Sequence, residues 1–164
     1  MAGNPIESAF KSGFESIMAL FADYASALDE RRFNDWTELF CERCHYEVQS
    51  KENWDMGLTA ALIYCDSRGM IQDRVTVLKD TLTYPYLHSR HLITNIRIHG
   101  EDGSVYRVSA NYLVLHTTEE GETRIYSTGK YQDEIVFTEK GPKFLKKIVI
   151  ADTSAIDTLL AVPL

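Results

Sequence analysis

At 164 residues and 18.7 kDa the chain has the size of one domain, and 45% hydrophobic with 25% charged residues is a globular balance that excludes disorder. A formal net charge of −7 would repel a phosphate backbone or an anionic bilayer, which excludes nucleic acid and membrane surfaces as partners. The N-terminal MAGNPIESAFKSGF lacks a signal pattern, no window approaches the roughly 20 apolar residues of a membrane span, and the three cysteines, Cys41, Cys44 and Cys65, are odd in number. A cytoplasmic protein with reduced thiols, one domain from 1 to 164, is expected.

Ile6, Phe10, Phe14, Ile17, Phe21, Tyr24 and Leu28 recur every three or four residues, one apolar stripe along a long first helix. Asp29-Glu30-Arg31-Arg32 interrupts it. Asn34 reads as the N-cap of a short second helix, with Asp35 and Glu38 in its first turn and Trp36, Leu39 and Phe40 facing inward. His45–Val48 alternates as a first strand. Leu58–Cys65 is a continuous apolar run, a buried strand or the start of a helix by periodicity. Gly69–Lys79 carries helical spacing again and should end before Tyr84-Pro85-Tyr86, because a residue preceding proline avoids helical angles.

From residue 90 the period becomes two. Residues 92–99, Val105–His116, Thr123–Phe137 and Phe144–Ala151 read as four long strands, separated by turns at Gly103, Gly121 and Gly141. The expected class is α+β, with N-terminal helices packed on a long, curved antiparallel sheet. Lys146-Lys147 reads as a solvated strand end.

Cys41-Glu42-Arg43-Cys44-His45 matches the C-x-x-C-H of haem attachment, but no export signal accompanies it and no second Cys pair completes a zinc site. A redox dithiol would want a strand before it and a helix after it, the reverse of the order here. His88 and His91, with Asp80, have metal-ligand types, yet residues three apart in a strand point to opposite faces, so structural histidines are expected. No C-x-H with C-x-x-H Rieske pattern occurs, nor any phosphate-binding glycine motif. Tyr24, Asp29, Tyr46, Arg74, His91 and Asp152 are titratable candidates for lining a cone-shaped pocket, where an Asp–His or Tyr–Asp pair would serve an isomerase or dehydratase. No spacing singles out such a pair. A small-ligand binding module is the third alternative.

Apolar and aromatic residues exceed the needs of one core. Tyr84, Tyr86 and Leu87 crowd one loop beside Arg90 and His91, and the chain ends Thr158-Leu159-Leu160-Ala161-Val162-Pro163-Leu164. Tyr84, Tyr86, Arg90, His91, Leu160 and Leu164 are therefore candidates for a subunit interface.

Several stretches together resemble one family. Tyr24–Asp29, Trp36–Phe40, Cys44–Val48, Tyr64–Arg74, Arg90–Asn95, and the close Asp152-Thr153-Ser154 with Asp157–Leu164 resemble the small (beta) subunits of aromatic-ring-hydroxylating dioxygenases, the Rieske non-haem iron oxygenases. The ending looks most like the terephthalate- and salicylate-hydroxylating group. The resemblance implies a cone of the nuclear-transport-factor-2 type and a homotrimer supporting three large (alpha) subunits. It also places the Rieske [2Fe–2S] cluster and the mononuclear iron in those large subunits. Electrons would come from NADH through a reductase or ferredoxin. It implies no catalytic, metal-binding or cofactor-binding residue in this chain, whose role would be to assemble and stabilise an oxygenase acting on an aromatic compound, an aromatic carboxylate being expected.

Overall fold

The computed structural model describes residues 5–81, 87–153 and 163–164, apart from the side chains of 5–12 and 80–81. Helix α1 (Pro5–Asp29) carries the apolar stripe, and Ile17, Leu20, Phe21, Tyr24, Ala27 and Leu28 are buried along it. It stops where the stripe does. Arg31 takes a left-handed conformation (φ 55°), the amide of Arg32 reaches back to Ala27 O at 2.8 Å, and that of Arg31 to Leu28 O at 3.1 Å. This paired return is a Schellman ending, made without the usual glycine.

Helix α2 (Phe33–Glu38) begins at Arg32, which offers no side-chain cap, so Asn34 is not the N-cap. Its Oδ1 instead accepts a 2.7 Å bond from Lys79 Nζ. Trp36 and Phe40 are fully buried, with Leu39 partly so. Strand β1 (Phe40–Ser50) is longer than the alternation of 45–48 implies. It runs into α3 (Lys51–Asp55), a short helix whose N-cap Ser50 accepts from the Asn53 amide at 3.2 Å. The run at 58–65 is neither a buried strand throughout nor a helix. Only Ile63–Cys65 forms a strand, β2, while Leu58 and Leu62 are about half exposed.

Helix α4 (Arg68–Thr81) follows, and then β3 (His88–Asp102), β4 (Val105–Thr117), β5 (Thr123–Thr138) and β6 (Gly141–Ala151) form the expected meander. The glycines at its three turns have positive φ (64°, 89° and 105°). The sheet order is β2-β1-β6-β5-β4-β3, with β1 parallel to β6 and every other pairing antiparallel. Local periodicity carries no signal for a pairing between residues a hundred positions apart. The helix α1 packs over β3 and β6, and α4 over β1, so the core lies between the helices and one face of the sheet. Among the described residues no helix is long and apolar enough to cross a membrane.

Gly129 lets β5 and β6 close. A Cβ there would overlap the carbonyl of Ile150 and crowd the Tyr112 ring. Gly129→Ala is expected to lower the unfolding free energy by about 1–3 kcal/mol, read as a shifted urea midpoint.

Candidate functional site

Polar groups enter the described part of this core at several places, of which Leu164, Asp29–His91 and Asp133–Lys147 join distant elements. At the first, Leu164 is wholly buried between α1 and β1. Its carbonyl accepts from Tyr24 Oη at 2.5 Å, and its amide donates to Tyr46 Oη at 3.2 Å. Burial raises both phenols' pKa values, so each remains a neutral hydrogen-bonding group. These tyrosines are anchors for the chain's own backbone.

At the second, Asp29 closes α1 and faces β3. Its carboxylate accepts the His91 amide at 3.0 and 3.1 Å, and lies 2.6 Å from His91 Nδ1. The His91 side chain is 1% exposed. His116, which the sequence reading did not single out, lies on the same face of the neighbouring strand. Its pKa is lowered by burial and then by the nearness of His91, and its ring stacks on Tyr126 at 3.8 Å. Of the six pocket candidates, the structure brings Asp29 against His91 and Tyr24 beside Tyr46, with Arg74 near enough to Tyr46 to act on its phenol. Asp152 accepts from Thr128 Oγ1 at 2.9 Å, and Arg74 is half-buried on α4.

At the third, Lys147 overturns the expectation of a solvated Lys146-Lys147 strand end. It is 0% exposed, and Nζ donates to Asp133 Oδ2 at 3.0 Å, facing it across the β5–β6 ladder. The ammonium sits 3.5 Å from the ring centre of Tyr131, 4.4 Å from Tyr24 and 4.6 Å from Phe144. Register explains the reversal. A shift between Phe40 and His45 along β1, and another between Glu134 and Ile135 along β5, break the alternation of β6 and turn Lys147 inward. Burial pushes Asp133 up to about 6 and Lys147 down to about 8, although each favours the other's charge. Among the described residues, Asp133 Oδ1 and the Tyr131 hydroxyl have no hydrogen-bond partner.

The C-x-x-C-H segment lies in β1. Burial pushes the Cys44 thiol up to about 12, and raises Cys41 and Cys65 as well, so each stays a neutral thiol. His45 Nε2 is 2.7 Å from Glu47 Oε2. These residues do not fit an iron–sulfur cluster or a mononuclear iron. Among the described residues no three His, Cys, Asp or Glu side chains converge as a metal site. The side chain of Asp80 lies outside the described residues.

Of the interface candidates, Arg90 is exposed near the start of the edge strand β3, while His91 and Leu164 are turned into the protomer's own core. Tyr84, Tyr86 and Leu160 lie outside the described residues, as does the Tyr84-Pro85-Tyr86 stop. A further apolar surface escaped the sequence reading: Trp54, Met56, Leu58, Leu62 and Tyr64 are 41–64% exposed between α3 and the other sheet edge, β2.

A profile of the family described as the ring hydroxylating beta subunit matches residues 24–158. The anthranilate 1,2-dioxygenase small subunit of Burkholderia cepacia is 37% identical over 94% of this chain and 95% of its own length. The terephthalate 1,2-dioxygenase terminal oxygenase component subunit beta 2 of a Comamonas species is 30% identical over 90% of this chain and 96% of its own. A crystal structure of a beta subunit assigned to an aromatic-ring-hydroxylating dioxygenase of Novosphingobium aromaticivorans superposes with a TM-score of 0.85. It is 38% identical, over 96% of this chain and 99% of that one.

Proposed function

The chain belongs to the ring hydroxylating beta subunits, and from that premise we propose how it serves its oxygenase. It is the beta subunit of an aromatic-ring-hydroxylating dioxygenase, one component of an oxidoreductase complex with a large alpha subunit. Its work is assembly. Three copies, each a single domain from 1 to 164, form a trimer that carries three alpha subunits. The Rieske [2Fe–2S] cluster and the mononuclear iron belong to the alpha subunit, which takes electrons from NADH through a reductase or ferredoxin. The substrate is an aromatic carboxylate, the class to which anthranilate and terephthalate in the relatives' names belong. The complex works in the cytoplasm, with neither nucleic acid nor membrane as a partner.

The observation that carries this reading is the match to dioxygenase small subunits over nearly the whole of both chains. It sets aside the stand-alone isomerase or dehydratase. The described interior agrees with a structural role, because its tyrosines hold backbone and its lysine and aspartate hold each other.

Reconstitution tests the function. With NADH, oxygen and the electron-supplying reductase or ferredoxin present, the purified alpha subunit should oxidise benzoate, anthranilate or terephthalate only when this chain is added. Equal activity without the chain would contradict the proposal. The interface is tested separately by charge. Tyr86→Asp and Leu160→Asp should each convert the trimer to monomer while the far-ultraviolet helical signal is retained. A trimer unchanged in both variants would remove these residues from the interface.

A further inference from the structure

The back of the sheet, opposite the core, carries a cavity of about 200 Å³. Helix α3 packs on β1 and β6, and on β6 Ile148 and Ile150 are each 6% exposed while standing apart from the main core. Trp54 on α3, 41% exposed, and Ile148 line the cavity together with Arg107 on β4, Glu134 on β5 and Lys146 on β6.

Register places the strand residues on one face. Arg107 stands opposite Glu134, and Glu134 opposite Lys146. Lys146 and Ile148 flank Lys147 along β6, so they face away from the core that holds it. Opposite charges directly across a ladder attract, yet the Arg107 side chain reaches the other way. Its Nη2 lies 3.7 Å from where a Cβ on Gly100 would stand, on the far neighbour β3. Space is thereby left open in front of Glu134. Asp133 also borders the cavity, but its side chain is bonded to Lys147 inside the core. His99 is at the rim, with Nε2 2.6 Å from Ser109 Oγ. The charged side chains facing the space are thus two cations and one carboxylate, on a chain whose net charge is −7. The cavity has two unlike ends. Trp54 and Ile148 make an apolar end at β6, and Arg107 makes a cationic end on β4, two strands and roughly 10 Å away.

We infer that this cavity binds a small planar molecule with an aromatic ring at one end and a carboxylate at the other. The ring lies against Trp54 and Ile148, where its apolar surface leaves water. The carboxylate meets the Arg107 guanidinium, whose planar fork suits two parallel N–H···O bonds. Lys146 adds a second cation. Glu134, between the cations, disfavours a compact dianion such as phosphate. The site is one of reversible binding and needs no alpha subunit.

Trp54 reports occupancy directly, because the chain has two tryptophans and the other, Trp36, is fully buried in the core. In the full, isotopically labelled chain, NMR resolves the two indole N–H signals, and Trp54→Phe tells them apart. Benzoate should shift the Trp54 signal saturably and leave that of Trp36 in place. Inorganic phosphate at the same concentration should move neither. Arg107→Gln changes an exposed residue and should weaken the benzoate response about tenfold, the loss of a charge-assisted hydrogen bond. Signal dispersion in the same spectra shows that each variant is folded. The inference fails if benzoate leaves Trp54 unmoved or moves it without saturation. It also fails if phosphate moves Trp54 as benzoate does, or if folded Arg107→Gln binds benzoate like wild type.

Discussion

Replacing Lys147 by alanine is expected to lower the unfolding free energy by about 3–5 kcal/mol, the usual cost of removing one partner from a buried ion pair. The reason is what stays behind. Asp133 is 3% exposed, and among the described residues its Oδ1 already has no partner and, without Lys147, its Oδ2 has none either. The aromatic rings around the ammonium would border a void as well. The double variant Asp133→Leu with Lys147→Met removes both charges and should recover most of the loss, or exceed wild type, by urea denaturation. If Lys147→Ala proves neutral, the pair is not buried as described.

The same pair fixes a pH dependence. Asp133 has its folded pKa raised to about 6 from an ordinary 3.8, so its contribution to stability is fully present below the unfolded value and is lost as pH rises through about 6. Lys147 is lowered to about 8 from 10.5, so its contribution is present above the unfolded value and is lost as pH falls through about 8. Both losses are in force between about 6 and 8. Relative to the charge-free double variant, wild type should therefore gain stability on moving to pH 5 or pH 9 from neutrality. A difference that is flat with pH would contradict this account.

Trp36→Ala should have an effect of similar size, about 3–5 kcal/mol. Trp36 is fully buried, with edge contacts to Phe40 at 5.3 Å, Tyr46 at 5.4 Å and Tyr24 at 6.1 Å. Removing the indole empties the point where α1, α2 and β1 meet, beside the two tyrosines that hold Leu164. The contrast is Trp54, which is 41% exposed, and Trp54→Ala should change protomer stability by less than about 0.5 kcal/mol. Urea midpoints and near-ultraviolet circular dichroism of both variants read the two effects.

Elements written into local periodicity were legible in the residues. The three-and-four spacing of α1 and the period-two strands from β3 onward appear in the structure within a few positions. What depends on distant partners was not. The parallel pairing of β1 with β6 brings residues 40–50 against 144–151, and no local pattern announces it. Helix α3 has five residues, too few for a period. Lys146-Lys147 read as a solvated strand end, and register shifts in the neighbouring strands, which local sequence does not announce, accompany the turn of Lys147 inward. Asp29 and His91 were both legible as titratable candidates, but their pairing across 62 residues needed the fold. Leu164 was legible as an apolar residue seeking burial, and two phenols of its own chain now hold it.

The central claim is that this chain exists to assemble an oxygenase, and its most direct test is solution mass by light scattering. The chain alone should give three times the 18.7 kDa protomer mass. Co-expressed with a large (alpha) subunit of this family, it should elute as an iron-coloured hexamer of three small and three large subunits. A chain that remains the same species with and without the large subunit would contradict the account.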